Sequence, residues 1–161
     1  FADPGSGVNN TSSLQNPTHI FATAGTYNVQ LTITNDNGCV SNPIFSTPVV
    51  VNARPLAGYI VPEVCLSDTY AQFTDTSDVD LPSTLTGWQW NFGDPASGVN
   101  NFSVLQNPTH SYTATGTYVV ELIATSNNGC RDTISHNLVV NGSFPVAGFN
   151  LFNPSTLCAN D

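Results

Sequence analysis

Residues 88–130 read WQWNFGDPASGVNNFSVLQNPTHSYTATGTYVVELIATSNNGC and carry the clearest strand and turn signals of the chain. Within it Val120, Leu122 and Ala124 fall on one face of a strand and Val119, Glu121 and Ile123 on the other, and Trp88, Trp90 and Phe92 share a face in the same way. Further strands are expected at 56–61, 108–113 and 132–140. Asn-Pro at 107–108 and Asn-Asn-Gly at 127–129 supply turn chemistry between such strands. Since no segment carries an apolar stripe with the helical period, the sequence predicts an all-β, antiparallel, two-sheeted fold.

The same stretch occurs twice. FADPGSGVNNTSSLQNPTHIFATAGTYNVQLTITNDNGC at 1–39 aligns without a gap to residues 92–130, with well over half the positions identical. Beyond it, VVVNARPLAGY at 49–59 corresponds more loosely to LVVNGSFPVAGF at 138–149. The period is therefore about 90 residues, which is the size of one immunoglobulin-like sandwich.

The phase of the repeat predicts the domain organisation. Residues 53–141 form one complete unit, 1–52 the C-terminal part of the preceding unit and 142–161 the first strand region of the next. We expect the polypeptide to continue beyond both ends, with missing strands of 1–52 supplied by upstream sequence or by another chain. The connectors between units hold only a few residues, which predicts a semi-rigid string.

Charge excludes two classes of partner. The chain has a net charge of -9 and only two basic residues, Arg54 and Arg131. Nucleic acid and anionic membranes bind clusters of Lys and Arg, so neither is an expected partner. No apolar run is long enough to insert into a membrane as a helix, and no signal peptide is recognisable.

Three motifs in the complete unit resemble the PKD (polycystic kidney disease) domain family: WQWNFGDP at 88–95, QNPTHSY at 106–112 and GTYVVELIATSNNGC at 116–130. Asn91 and Pro95 depart from the family pattern, which has Asp and Gly there. The resemblance implies an Ig-like β-sandwich repeated in tandem. The GDPASGVNN variant is similar to repeats of Bacteroidota surface proteins, which implies adhesins or stalks exported by the type IX system to the cell surface.

Each repeat phase holds two cysteines, Cys65 early and Cys130 late, which predicts a disulfide between two strands of one sandwich and an oxidising compartment. Metal ligation is the alternative, although no Cys-x-x-Cys spacing occurs. Cys39 and Cys158 occupy the same two positions in the flanking units, so their partners are expected outside the chain.

Asp75, Asp78 and Asp80 form the densest carboxylate cluster, in FTDTSDVDLP. Calcium prefers several oxygen ligands, so the cluster is a candidate calcium site. No other cofactor is expected. Turn-forming aspartates explain the same residues, since neither EF-hand nor RTX spacing is present. Thr133, in Asp-Thr-Ile, resembles the short O-glycosylation motif of exported Bacteroidota proteins.

His110 and His19 lie in identical NPTH contexts. A catalytic histidine needs an oriented nucleophile or carboxylate, and the spacing implies none, so we predict a structural histidine satisfied by backbone groups. Asp94 and Asp3 are expected to hold the following loop through bonds to the backbone. Trp88 is predicted to pack in the core, the alternative being an exposed ring that stacks on a sugar.

These features predict a non-catalytic structural and interaction module of a repetitive extracellular or cell-surface protein. Its expected partners are neighbouring repeats and surface polysaccharide. The alternative is a spacer or carbohydrate-binding accessory domain of a secreted polysaccharide-degrading enzyme or protease. Function on this type of scaffold depends on loops and neighbouring domains, so the fold alone does not separate the two.

Overall fold

The computed structural model describes residues 1–41, 45–142 and 148, in which strands and two 3-10 segments, Pro4–Asn10 and Pro95–Asn101, alternate with turns. The predicted all-β class is confirmed. In chain order the strands are β1 (Gly25–Leu31), β2 (Phe45–Val51), β3 (Tyr59–Ile60), β4 (Val64–Cys65), β5 (Ala71–Gln72), β6 (Thr74–Asp75), β7 (Leu85–Asn91), β8 (Phe102–Ser103), β9 (Thr109–His110), β10 (Gly116–Ser126) and β11 (Arg131–Asn141).

One five-stranded sheet, in the order β4-β11-β10-β7-β8, forms the larger layer of the complete unit. All its pairs are antiparallel except β4 with β11, which run parallel. The short pairs β3-β6 and β5-β9 contribute Tyr59, Ala71 and the adjoining Phe73 to the hydrophobic cluster that also covers this sheet. The result is two layers around one core.

The β10–β11 ladder follows directly from the alternation in the sequence. Val120, Leu122 and Ala124 are all 0% exposed, whereas Val119, the residue before Val120, is 57% exposed. The two strands stay in register from Gly116 opposite Val140 to Thr125 opposite Arg131. This long hairpin forms the body of the sandwich.

Aromatic side chains fill the centre of the core. Trp90, Phe73 and Phe92 are at most 2% exposed, and the rings of Phe73 and Trp90 lie 5.5 Å apart. The indole Nε1 of Trp90 donates to the carbonyl of Leu105 at 2.9 Å, so the buried ring leaves no polar atom unpaired. The hydroxyl of Tyr59 likewise donates to Val120 at 2.7 Å.

The chain enters and leaves the complete unit at opposite ends of β11. At its start, the guanidinium of Arg54 donates to the Arg131 carbonyl and to the Asp132 carboxylate, and the Ala57 amide also donates to Asp132. The chain leaves after Asn141, the last residue of the same strand. From Arg131 to Asn141 the strand rises about 33 Å. We call these the inlet end and the outlet end.

Residues 1–52 repeat the local structure but not the core. β1 pairs with β2 as β10 pairs with β11, yet within the described residues before Ala53 only Asp3 and Tyr27 are buried. Leu31 is 54% exposed, whereas its equivalent Leu122 is fully buried beneath the layer that Tyr59 and Phe73 supply. The division at 52/53 stays a prediction, as does that at 141/142, because 143–147 and 149–161 lie outside the described residues.

Replacing Trp90 with Ala should lower the free energy of unfolding by about 3–5 kcal/mol, because the change removes the largest buried side chain and leaves a cavity. Val99→Ala, at a residue 88% exposed, should change it by less than about 0.5 kcal/mol. Urea unfolding followed by tryptophan fluorescence and by circular dichroism measures both. Equal effects of the two substitutions would contradict the assigned core.

Candidate functional site

The most distinctive polar feature of the fold is a buried histidine–carboxylate pair that occurs in both repeats. Nε2 of His110 lies 3.1 Å from Oδ2 of Asp94, and the two side chains are 3% and 6% exposed. Nε2 of His19 lies 3.1 Å from Oδ2 of Asp3 in the same way. The His110 ring also stacks on Phe92, with centroids 4.4 Å apart.

A second contact closes the loop between the paired residues. The Asp94 amide donates to Oδ1 of Asn101 at 2.7 Å, and the Asp3 amide donates to Asn10 at the same distance. The loop between them is the Pro95–Asn101 3-10 segment, in which Gly98 adopts the left-handed φ of 60° that favours glycine. The SGVNN sequence therefore builds a fixed loop rather than a mobile one.

This pair corrects one prediction and extends another. His110 is bonded to a carboxylate rather than to backbone groups, and the Asp94 carboxylate reaches forward to the NPTH turn. Asp3 reaches His19 in the same way, and its carboxyl also accepts the Gly5 amide, which is the expected bond into its own loop. In the first repeat, burial opposes ionisation of Asp3, but bonds from the Ala22 amide and His19 hold the pKa of that carboxyl below its usual range. Both pairs, Asp3–His19 and Asp94–His110, are buried and bonded internally, so their role is structural. We call each pair a clasp.

In each repeat the histidine of the clasp and the phenylalanine stacked on it line a groove. In the complete unit the groove has a volume of about 510 Å³, and in the first repeat about 340 Å³. Uncharged hydroxyl and amide groups line its walls, and Phe102, 61% exposed, stands beside it. Every residue lining the first groove has its repeat equivalent in the second: Phe1 and Phe92, Asn9 and Asn100, Thr11 and Phe102, Ser12 and Ser103, Thr18 and Thr109, His19 and His110, Ile20 and Ser111.

The structure does not gather the predicted calcium ligands. Oδ2 of Asp75 accepts bonds from the Trp88 indole at 2.8 Å and from Gln106 at 3.0 Å. The Asp78 carboxylate accepts the amide of the next residue, and Asp80 lies in the turn that follows. Among the described residues no group of three acidic, His or Cys side chains could hold a metal. The calcium site therefore stays a prediction for three aspartates that the structure does not group together.

The Asp75 contact also decides the role of Trp88. Its ring is half-buried against the core cluster and its N–H is used internally, which agrees with core packing and not with an exposed sugar platform.

The predicted disulfide requires a correction. Cys65 lies opposite Asn141 at the outlet end, whereas Cys130 immediately precedes Arg131 at the inlet end. The two cysteines are therefore about 33 Å apart along β11, whereas the Cα atoms of a disulfide lie within about 7 Å of each other. They cannot pair within one unit. Cys39, Cys65 and Cys130 are free thiols. The sequence repeat indicates that both cysteines belong to one unit, but it does not indicate at which end of the unit each cysteine lies.

The remaining candidate, Thr133, lies exposed on β11 beside Asp132, whose carboxylate is engaged with Arg54 and Ala57. Its glycosylation stays a prediction. The residues that sequence reasoning missed are the loop asparagines Asn10 and Asn101 and the groove wall. The signal available for them was the identical SGVNN sequence in both repeats, at 6–10 and 97–101.

The comparisons with known proteins agree with this architecture. The PKD domain family matches residues 3–50 and 52–141, so the chain belongs to that family. Within the described residues no helix has the length and apolar character needed to cross a membrane.

Individual relatives match parts of the chain. Collagenase ColA of Clostridium perfringens is 30% identical over 110 residues, which cover 68% of this chain but 10% of the collagenase. The PKD1 domain of Vibrio anguillarum Epp aligns with a TM-score of 0.48 and 26% identity, over 57% of this chain and 99% of that domain. The PKD1 domain of the Vibrio cholerae metalloprotease PrtV gives 0.43 and 24%, over 56% and 99%. The chain thus spans about a tenth of the curated relative it matches.

Asp94→Ala should lower the free energy of unfolding by about 1–3 kcal/mol, because it leaves the buried Nε2 of His110 without a partner. Asp80→Ala, at an exposed turn, is the matched control and should change stability by less than about 0.5 kcal/mol. Thermal and urea unfolding measure both. If the double variant Asp94→Ala, His110→Ala lost as much free energy of unfolding as the two single variants added together, the two residues would not act as a pair.

Proposed function

We propose that residues 53–141 are a non-catalytic structural link of a repetitive extracellular or cell-surface protein. The observation that carries the proposal is the position of the inlet and outlet at opposite ends of β11. Units connected in this way follow one another along the strand axis, so each repeat adds length. A domain whose termini lie side by side would instead fold the string back on itself.

The strand pairing at the outlet end suits this role. β4 runs parallel to the end of β11, with Val64 opposite Val140, and the Leu66 amide donates to Asn141 at 2.8 Å. Tension between residues 53 and 141 pulls the two strands along their own length. Because these hydrogen bonds run between the strands, such tension loads the bonds of the two residue pairs and the Leu66–Asn141 bond together instead of opening them one at a time.

The inlet end is held by hydrogen bonds to the Asp132 carboxylate. Bonds from the Ala57 amide and from Arg54 keep the pKa of Asp132 below its usual range, although burial opposes this. One carboxylate therefore ties the connector to the first residues of β11 at neutral pH. That tie loosens only when acid protonates Asp132, since the ionised form accepts both bonds.

The wider context follows from the sequence variant and the charge. The GDPASGVNN loop supports an adhesin or stalk of the Bacteroidota type exported by the type IX system. A net charge of -9 makes copies of the chain repel one another sideways, so the favoured partners are neighbouring repeats along the axis.

Single-molecule pulling tests the mechanical role. The fragment 53–141 is stretched between its two termini, or across the sheet between Cys65 and a Phe102→Cys substitution, with Cys130→Ser in both. The first geometry loads the β4–β11 pair in shear and should rupture at a higher force than the second, which peels the sheet from its edges. Equal or reversed forces would contradict the proposal.

A second candidate is a glycan-binding accessory domain, and the groove that recurs in both repeats favours it. Its wall offers neutral hydroxyl and amide groups beside exposed Phe102, which suits a neutral sugar better than a charged ligand. The groove volume of about 510 Å³ lies within the range of ligand sites.

Affinity electrophoresis in gels containing a soluble β-glucan or a mannan tests this candidate. We expect the fragment 53–141, which carries a single groove, to be retarded, and Phe102→Ala or Ser103→Ala to reduce its affinity about tenfold, while Asn137→Ala on β11 leaves the retardation unchanged. Migration that is the same with and without polysaccharide would exclude neutral glucans and mannans as ligands.

A further inference from the structure

The two cysteines of one unit lie at opposite ends, and this arrangement has a consequence for consecutive units. Cys65 borders the outlet, because it lies opposite Asn141, the last residue of β11. Cys130 borders the inlet, because the Arg54 side chain bonds the carbonyl of Arg131, the next residue after Cys130. Neither thiol is sealed in the core, since Cys65 is exposed and Cys130 half-buried.

The junction between residues 1–52 and the complete unit brings an outlet and an inlet together. Val51 and Asn52 are the repeat equivalents of Val140 and Asn141, and Asn52 is followed after one residue by Arg54. A cavity of about 300 Å³ at this junction is lined from one side by Gly25 and Val51 and from the other by Pro82 and Asn128. Asn128 belongs to the same turn as Cys130.

Repeat symmetry then places two thiols at every junction of complete units. The strand equivalent to β4 would run beside Val51 and Asn52, as β4 does beside Val140 and Asn141, and its cysteine would border the junction. Cys130 borders the junction from the other side. Two residues of chain span at most about 7 Å, so the units cannot separate their facing ends widely.

The sequence supports one thiol at each end of every unit. Cys39 lies in a turn with the same backbone hydrogen bonds as the turn of Cys130. The Asn35 amide donates to the Cys39 carbonyl, and the Gly38 amide donates to the Asn35 carbonyl. In the second turn the Ser126 and Gly129 amides donate to the Cys130 and Ser126 carbonyls in the same way. Cys158 occupies the sequence position of Cys65 in the next unit. A pairing within one unit is prevented by the length of β11, whereas a pairing between units is not.

We propose that the cysteines form disulfides between consecutive units, Cys65 of one with the Cys130 equivalent of the next. The proposal rests on the tandem arrangement of the proposed function. Each bond forms when the two thiols lose two protons and two electrons to a disulfide oxidant, which is reduced to two thiols. In the resulting string, a disulfide links the two units on either side of every short connector.

A fusion of two copies of 53–141 tests the pairing. The fragment contains every residue of the core cluster, from Tyr59 to Val140, so each copy holds a complete core. Joining Asn141 directly to Ala53 also recreates the natural Val-Asn-Ala-Arg-Pro junction of residues 51–55. One variant keeps only Cys65 of the first copy and Cys130 of the second. The matched control keeps only Cys130 of the first and Cys65 of the second, at the two outer ends.

Both variants are oxidised at low concentration with glutathione disulfide and examined by intact mass, thiol titration and non-reducing electrophoresis. The junction variant should lose both thiols within the monomer, with the mass falling by two hydrogens, while the outer-end control stays reduced or carries glutathione. A free junction pair, or an internal bond in the control, would overturn the proposal. Pulling of the single fragment reports on the proposed function separately, because one unit contains no junction.

Discussion

The β10–β11 ladder is the constraint on which the rest of the molecule depends. Its register from Gly116 opposite Val140 to Thr125 opposite Arg131 fixes which face of the hairpin is apolar, and the core assembles on that face. The same ladder fixes the distance between the ends of the unit. Because the connector is tied to the first residues of β11 and the chain leaves at its last, the strand axis is also the axis of the proposed string of units.

The alternation of side chains made the strand faces predictable. Val120, Leu122 and Trp90 are buried where the period of two placed them, and the repeat correctly indicated that 1–52 would copy the hairpin. Strand lengths were less predictable. The segments expected at 56–61 and 108–113 form strands only over Tyr59–Ile60 and Thr109–His110, with one isolated bridge from Leu56 to Asp78. Prolines at 55, 62 and 108 contribute to this, because they have no amide to donate to a ladder.

The site residues were harder to predict because their roles depend on contacts between distant segments. Asp75 appeared as one of three clustered carboxylates, but Trp88 and Gln106 come from two other parts of the chain to occupy it. Asp94 meets His110 only after the loop between them closes. The cysteine pairing failed for a related reason: sequence position within a repeat does not state at which end of an 11-residue strand a residue lies.

Small-angle X-ray scattering of fusions with one, two and three copies of 53–141 shows whether each unit extends the proposed string along β11. We expect the maximum dimension to grow by a constant step per copy, at least the roughly 33 Å that β11 spans from inlet to outlet. A maximum dimension that rises little from one copy to three, as for units folded back against one another, would contradict it.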